Sequence, residues 1–242
     1  MELSVAQKIK NFDENYPEIK ENIKKISEQN GKSLDDVILL AATKTVEAEV
    51  INHAADCGLA FMGENRVQEF LSKNNDITPN LHRHFIGHLQ TNKVADIITK
   101  VEMIHSVHSV KLAEKISKEA IKNNLVMDIL LEVNIGREES KSGFMPEEVE
   151  EALETISKLD GVAIKGLMAI PPICETDEIC QYFEKMQKMF IDIRAKNSDN
   201  INMVYLSMGM SDDYQWALKY GANIVRIGSA LFGKRYYANK EN

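Results

Sequence analysis

Two apolar segments near the C-terminus end in small residues that can present backbone amides. One segment ends in Ser207-Met208-Gly209, and the other ends in Gly228-Ser229. Glycine lets amides approach an anion closely, serine hydroxyls donate further hydrogen bonds, and a helix starting after Ser229 adds its N-terminal dipole. If the two ends lie side by side, they form a binding site for a phosphate group.

A third apolar segment, residues 37–43, is followed by a lysine, Lys44. An unprotonated lysine amine condenses with an aldehyde to form an imine. On its own, however, a lysine after a strand is usually a solvated loop residue, and a glycine at a strand end is commonly only a turn. The chemistry therefore depends on whether the fold brings Lys44 to the phosphate-binding segments.

Strands and helices alternate along the chain after a leading helix at residues 3–28. Short runs that are apolar at both parities are typical of parallel strands buried on both faces. The predicted strands are residues 37–43, 59–62, 84–86, 103–107, 127–135, 163–168, 203–207 and 224–227. The predicted helices are residues 46–57, 66–73, 92–99, 110–123, 177–195 and 213–220, and a further one opens at Pro146.

This alternation predicts an α/β fold, a (β/α)8 TIM-type barrel with a leading N-terminal helix. An open, doubly wound sheet remains the alternative. No linker rich in glycine and serine divides the chain, so we expect residues 1–242 to form a single domain.

Barrel closure would place the first strand next to the eighth. Lys44 and Arg226 would then both lie at the C-terminal mouth, and the loops after strands seven and eight are where such barrels bind phosphate. These loops contain Gly209 and Gly228. Arg226 alone has a simpler interpretation, as a structural arginine paired with a carboxylate at the rim.

The composition excludes several classes of protein. The chain has 242 residues, 44% of them hydrophobic, and a formal net charge of −8, which argues against a broad nucleic-acid surface or a polybasic membrane anchor. No stretch approaches the roughly 18 apolar residues of a membrane span, and the N-terminus lacks a secretory pattern. We expect a cytoplasmic protein that binds neither nucleic acid nor membrane.

The cysteines and histidines give no metal-binding pattern. Cys57, Cys174 and Cys180 match no zinc spacing, so we expect three reduced thiols, with Cys57 as a small helix-packing residue. His82, His84 and His88 resemble metal ligands, but only His82 and His84 would share a strand face, since His88 falls in the following loop. Neither a carboxylate nor a cysteine completes a set with them. We therefore predict no metal site.

Seven short segments, in order along residues 37–233, resemble the pyridoxal-phosphate homeostasis proteins. These proteins are similar to an isolated barrel domain of alanine racemase. The segments are residues 41–45 (AATKT), 63–69 (GENRVQE), 84–93 (HFIGHLQTNK), 141–143 (KSG), 166–168 (GLM), 206–211 (LSMGMS) and 225–228 (VRIG).

The resemblance implies a binding site for pyridoxal 5′-phosphate (PLP). Lys44 would form the Schiff base, Arg226 would face the pyridine nitrogen, and Asn65 and Met168 would lie around the ring. The phosphate would be held by Ser207, Met208, Gly209, Gly228 and Ser229.

Two positions differ from many relatives, because Thr43 and His108 stand where serine and aspartate are expected. Neither change affects the implied Schiff base or phosphate site. Only local hydrogen bonding would differ.

The arginine favours a carrier over an efficient enzyme. A guanidinium keeps its proton, so a facing pyridine nitrogen stays unprotonated and the ring withdraws electrons less strongly. In the resemblance, racemases of this architecture have the same weakened electron withdrawal and add a tyrosine from another domain and subunit as a second acid/base. The tyrosines here, at positions 205, 214, 220, 236 and 237, have no spacing that assigns this role.

We therefore expect a non-catalytic, monomeric carrier that buffers PLP and passes it to apoenzymes. The alternative is a PLP-dependent enzyme acting at the α-carbon of an amino acid, such as a racemase. A third possibility is a barrel that binds a phosphate ligand without an aldehyde.

Overall fold

A computed structural model describes residues 3–195 and 201–234. Its centre is a closed barrel of parallel strands in the order β1-β2-β3-β4-β5-β6-β7-β8. The barrel closes where β1 pairs with β8, so the predicted barrel is confirmed and the open sheet is excluded. The strands are β1 (Ile38–Ala42), β2 (Phe61–Glu64), β3 (His82–Phe85), β4 (Met103–Val107), β5 (Met127–Val133), β6 (Val162–Ala169), β7 (Ile201–Ser207) and β8 (Ile224–Ile227).

Helices cover the outside of the barrel. The described helices are α1 (Val5–Gln29), α2 (Ala48–Asp56), α3 (Val67–Lys73), α4 (Val94–Ile97), α5 (Val110–Lys122), α6 (Val149–Ile156), α7 (Thr176–Arg194), α8 (Tyr214–Lys219) and α9 (Ser229–Phe232). Pro146 opens a 3₁₀ turn that runs into α6, as its fixed φ angle allows. None of these helices is both long enough and apolar enough to cross a membrane.

The leading helix α1 begins with a capping box. The Ser4 hydroxyl accepts a hydrogen bond from the Gln7 amide, and the Gln7 side chain accepts one from the Ser4 amide. Farther along, the Phe12 ring stacks on Tyr16 and on Phe232 of α9. These contacts fix α1 against α9, the last described helix.

Candidate functional site

The end of β1 lies beside the turn that follows β8. Ala41 is opposite Ile227 in the parallel pairing of these strands. A Cβ atom at Gly228 would lie only 3.1 Å from the carbonyl oxygen of Ala42, so glycine permits this close approach. Lys44 follows Ala42 by two residues and is partly exposed. The fold thus brings Lys44 and the β8 turn to the same end of the barrel.

Arg226 is buried inside the barrel, where two neighbours orient its guanidinium. Nη1 donates to the Ser207 hydroxyl over 2.7 Å, and Nη2 donates to the Ala169 carbonyl over 2.9 Å. Burial lowers the pKa of Arg226 to about 10, while the carboxylates of Asp213 and Glu132 act in the opposite direction. The group therefore stays protonated at neutral pH.

A chain of buried side chains continues from Arg226 across the barrel. Ser207 Oγ is 3.1 Å from His105 Nδ1, and His105 Nε2 is 3.0 Å from His84 Nδ1. Arg226, Ser207, His105 and His84 therefore form one continuous line of buried polar contacts across the barrel.

Both histidines in this chain are neutral. Burial is the main cause: it lowers the pKa of His84 to about 4 and the pKa of His105 well below its usual value. Sequence reasoning did not identify His105 as part of the site. The signal was a histidine within β4, a strand that is buried along its whole length, where a polar side chain requires a partner.

The predicted phosphate segment after β7 is held in a fixed turn. Gly209 has a φ angle of 92°, and its carbonyl oxygen accepts a 3.0 Å hydrogen bond from the Arg226 amide. The Met208 amide donates to Ile224, and the Met208 side chain is fully buried. The Ser207 hydroxyl is thus engaged inside the barrel, whereas the Gly209 amide has no hydrogen-bond partner among the described residues.

Ser211 ties this turn to the one after β8. Its hydroxyl accepts hydrogen bonds from the amides of Gly228, over 3.3 Å, and Ala230, over 3.1 Å. The amides of Gly209 and Ser211 have no hydrogen-bond partner among the residues that the structure describes. Ser229 is partly exposed at the start of α9. The Ser211 hydroxyl thus joins the two predicted segments, and Ser211 is a residue that sequence reasoning did not single out.

The residues predicted to surround the ring lie on β6 and after β2. Met168 is fully buried, between Glu132 of β5 and Ser207 of β7 in the strand register. Asn65 follows β2, and its Oδ1 is buried without a hydrogen-bond partner among the described residues. One carboxyl oxygen of Glu132 is likewise buried without a hydrogen-bond partner among the described residues. Burial raises the pKa of this carboxyl, although Arg226 opposes the shift.

A buried lysine of α3 supports the segment that carries Lys44. Lys73 Nζ donates to the carbonyl oxygens of Thr43, over 2.8 Å, and Val46, over 2.9 Å, on either side of Lys44. The same Nζ is 2.7 Å from a carboxylate oxygen of Glu64 and 3.0 Å from one of Glu69. The Thr43 hydroxyl also donates to Glu64, so threonine fills this position with its hydroxyl paired.

The leading helix holds the same segment from the other side. Lys8 Nζ donates to the Thr45 carbonyl over 3.0 Å and forms a 2.9 Å ion pair with Glu47. Thr45 has a φ angle of 62°, and its amide donates to a carboxylate oxygen of Glu69. The left-handed residue directly after Lys44 is thus fixed by hydrogen bonds at both its amide and its carbonyl group.

A pair of stacked histidines lies in the loops after β3 and β4. The rings of His88 and His108 have centroids 4.6 Å apart, and His88 Nδ1 is 3.0 Å from the Ser142 hydroxyl. Burial is the main cause of a lowered pKa of His108. His108, which replaces an expected aspartate, therefore packs against His88.

The histidines considered as metal ligands have separate partners. His82 pairs with Glu102, His84 bonds to His105, and His88 contacts Ser142. The three predicted free thiols are confirmed. However, Cys57 is exposed and contacts polar neighbours, so its prediction as a helix-packing residue is wrong.

Comparison with known proteins gives consistent matches. The family model described as alanine racemase, N-terminal domain, matches residues 15–236. A pyridoxal phosphate homeostasis protein of Aquifex aeolicus is 45% identical over 226 residues, which cover 93% of this chain and 98% of the relative. The protein of that name in Escherichia coli is 31% identical and covers 93% of this chain and 97% of the relative.

Solved structures agree with these sequence matches. The structure of PipY from Synechococcus elongatus with PLP bound has a TM-score of 0.77 and 30% identity, covering 88% of this chain and 100% of PipY. Alanine racemase of Clostridium difficile has a TM-score of 0.72 at 17% identity, covering 94% of this chain and 57% of the racemase, so that likeness concerns the fold. The chain therefore belongs to the alanine racemase N-terminal domain family and, within it, to the pyridoxal phosphate homeostasis proteins.

Proposed function

We propose that this protein binds PLP through a Schiff base with Lys44 and acts as a carrier, which buffers the cofactor and delivers it to apoenzymes without robust catalysis of its own. The main support is the buried, protonated Arg226, whose guanidinium is fixed by Ser207 and Ala169. The PLP bound to the related PipY supports the choice of ligand.

The groups at the mouth fit a phosphorylated aldehyde. The amides of Gly209 and Ser211, which have no partner among the described residues, are suited to phosphate oxygens, because an anion accepts hydrogen bonds from backbone amides. The buried Oδ1 of Asn65, which also lacks a partner in the described part of the chain, is a polar group that a ligand would satisfy. Lys44 supplies the amine, and its condensation with the aldehyde releases one water.

Each predicted site residue has a role in this proposal. Lys44 holds the cofactor covalently, Arg226 faces the ring nitrogen, and Asn65 and Met168 lie around the ring. The phosphate is held at the two turns formed by Ser207, Met208, Gly209, Gly228 and Ser229. Given the hydrogen bonds described above, Gly209 contributes its amide, while Ser207 and Met208 shape the turn from the inside.

Arg226 is the reason to prefer a carrier. When bound, PLP supplies an electron-withdrawing ring, which stabilises negative charge at an amino-acid α-carbon best when its ring nitrogen is protonated. Arg226 can only donate a hydrogen bond to that nitrogen, because its guanidinium holds its own proton at neutral pH. The residues around the ring therefore bind PLP without fully activating it.

The described tyrosines are used in packing. Tyr205 packs against the apolar cluster that contains Leu40 and Ile224, and Tyr214 is buried in the main core. Tyr236 and Tyr237 lie outside the described residues. A racemase remains the second candidate function, favoured by the match to the alanine racemase N-terminal domain.

Incubation of the holoprotein with single enantiomers of amino acids in deuterated water separates the two functions. The carrier predicts neither racemisation nor α-proton exchange at enzymatic rates, together with transfer of PLP to an apoenzyme reporter. Exchange or racemisation that disappears in Lys44→Ala would contradict the carrier and support the racemase. Lys93→Ala is the control, because this lysine pairs with Asp96 on the protein surface.

A further inference from the structure

Three potential metal ligands converge on the outer surface, where α1 crosses α2. They are Asp13 of α1 and, one turn apart on α2, His53 and Cys57, which is the residue that ends the helix. Their ligand atoms lie within 4.8 Å of one another. None of these residues contacts the proposed PLP site in the described structure, so the cluster requires its own explanation.

The distances within the cluster resemble the edges of a metal-binding tetrahedron. Cys57 Sγ is 3.6 Å from His53 Nε2 and 3.9 Å from Asp13 Oδ1, and Nε2 is 2.6 Å from that oxygen. In tetrahedral zinc sites, bond lengths of about 2.0 to 2.3 Å place neighbouring ligand atoms about 3.3 to 3.6 Å apart. A bound ion therefore requires the carboxylate to move less than about 1 Å away from the imidazole.

The arrangement differs from that of a cysteine nucleophile. In a catalytic triad, the imidazole uses one nitrogen for the nucleophile and the other for the carboxylate. Here Cys57 and Asp13 both approach the same nitrogen, Nε2 of His53. Three ligand atoms this close to one another suit the chelation of a metal ion, whereas a proton relay needs the thiol and the carboxylate on different ring nitrogens.

We propose that Asp13, His53 and Cys57 bind a divalent transition-metal ion of the zinc class, with water in the fourth position. A thiolate and an imidazole select such an ion over magnesium or calcium, which prefer oxygen ligands. On binding, the thiol of Cys57 loses its proton to solvent and forms the metal–sulfur bond. His53 binds the ion through an unprotonated Nε2, with its ring proton on Nδ1.

The surroundings are suited to a cation. The groove beside His53 is lined by the carboxylates of Glu49, Asp56 and Asp76. The His53 ring is also held edge-on against Phe12, with ring centroids 6.4 Å apart, which limits its rotation. Acidic neighbours favour entry of a divalent ion, and a fixed ring lowers the entropy lost on binding.

The ion would join α1 to α2 near the segment that carries Lys44. Lys8, on the same helix as Asp13, already contacts Thr45 and Glu47. A metal bridge one to two turns farther along α1 would tighten this contact. The site therefore has a structural role, and its existence does not depend on whether PLP is bound.

Titration of the holoprotein with Zn²⁺ against a chromophoric chelator, and with Co²⁺ by visible spectroscopy, tests the proposal. We expect one equivalent to bind, with the d–d bands of tetrahedral cobalt and a higher melting temperature in the presence of zinc. His53→Gln and Cys57→Ser should weaken binding by more than about 10- to 100-fold, the loss typical of outer-shell changes. Asp13→Asn should also weaken it.

Two controls make the outcome decisive. Cys174→Ser removes a thiol elsewhere, and Lys44→Ala removes the proposed PLP attachment, so both should bind zinc like the unaltered chain. Since the three ligands lie at the surface, circular dichroism should show folded variants. The metal site would be refuted if the unaltered protein bound zinc no more tightly than Cys57→Ser, or if bound cobalt gave an octahedral spectrum. Neither result would bear on the proposed PLP function.

Discussion

Arg226 and Ser207 are joined by a 2.7 Å hydrogen bond in the interior of the barrel, with the guanidinium as donor. The Ser207 hydroxyl also lies 3.1 Å from His105 Nδ1, so it links the guanidinium to the buried histidines. The orientation of the arginine is thus set from below the mouth, by a chain of polar side chains that the barrel encloses. Substitutions in this set of polar side chains should alter both the stability of the protein and the environment of a bound ring.

Replacing Arg226 with methionine should destabilise the fold strongly. The change leaves the buried carboxyl of Glu132 without its cationic neighbour and Ser207 without its donor. Removing the donor of a buried hydrogen bond typically costs about 1 to 3 kcal/mol for each partner left unsatisfied. Urea unfolding measures the loss, and Arg137→Met is the control because its ion pair with Glu147 is exposed on both sides. Equal losses of unfolding free energy in the two variants would contradict the buried hydrogen bonds of Arg226.

Stability should decrease as the pH falls from about 6.5 towards 4. The folded-state pKa of His84 is about 4, below the ordinary histidine value, so the unfolded chain binds more protons in this range. Stability from a depressed histidine pKa is complete above the unfolded pKa and is lost as pH falls, by up to about 1.4 kcal/mol per pH unit for one histidine.

The difference between variants isolates this effect from the carboxyl groups. His84→Gln should show a shallower dependence of unfolding free energy on pH than the unaltered chain. His82→Gln should change that dependence much less, because burial, and not His82, is the main cause of the lowered pKa of His84. His82 is the matched control because it lies at the exposed start of the same strand. Parallel pH profiles for the unaltered chain and His84→Gln would refute a neutral, buried His84.

Removing the Lys73 ammonium should disturb the Lys44 segment as well as stability. Lys73→Met leaves Glu64 buried beside no cation and frees the carbonyl oxygens of Thr43 and Val46. We expect a loss of about 3 to 5 kcal/mol, partly recovered when Glu64→Gln is added, because the second change removes the stranded charge.

A double-mutant cycle by urea unfolding measures this coupling. Additive losses would contradict the buried ion pair. Because Lys73 binds the backbone on both sides of Lys44, the rate of PLP loss should also rise in the single variant. Lys25→Met serves as control, since its ion pair with Glu21 on α1 is exposed on both sides.

Gly228→Ala should weaken retention of the phosphorylated cofactor. Its new Cβ would lie 3.1 Å from the Ala42 carbonyl oxygen and 3.3 Å from the Ala42 side chain, so the β8 turn must move away from β1. Affinity for PLP should fall about tenfold or more while affinity for unphosphorylated pyridoxal changes little. Equilibrium dialysis of both ligands checks this, and equal losses for the two would place the phosphate elsewhere.

The sequence predicted the strands best where apolar residues are continuous. Strands β4 and β8 begin and end as expected, because both of their faces are buried. Strand β3 begins two residues earlier than predicted, since His82 and Arg83 lie at its exposed start and lack a strand-like apolar pattern. The helix predicted at residues 92–99 is α-helical only over Val94–Ile97, after a 3₁₀ turn.

The polar interior could not be predicted in the same way. His105 acquires its role from contacts with His84 and Ser207. Lys73 acquires its role from contacts with Thr43 and Glu64. All of these partners lie on or directly after other strands of the barrel. Periodicity describes which face is apolar, but it does not say which buried polar atoms meet. The inward direction of the Ser207 hydroxyl is a consequence of the same kind.

Borohydride reduction of the purified holoprotein, followed by digestion and mass spectrometry, tests the proposed attachment of PLP most directly. Reduction converts a Schiff base into a stable secondary amine on the lysine that holds it. The predicted result is one phosphopyridoxyl group on the peptide that contains Lys44, absent from Lys44→Ala and present in Lys93→Ala. An unmodified Lys44, or a label on another lysine in the unaltered protein, would contradict the proposed binding site.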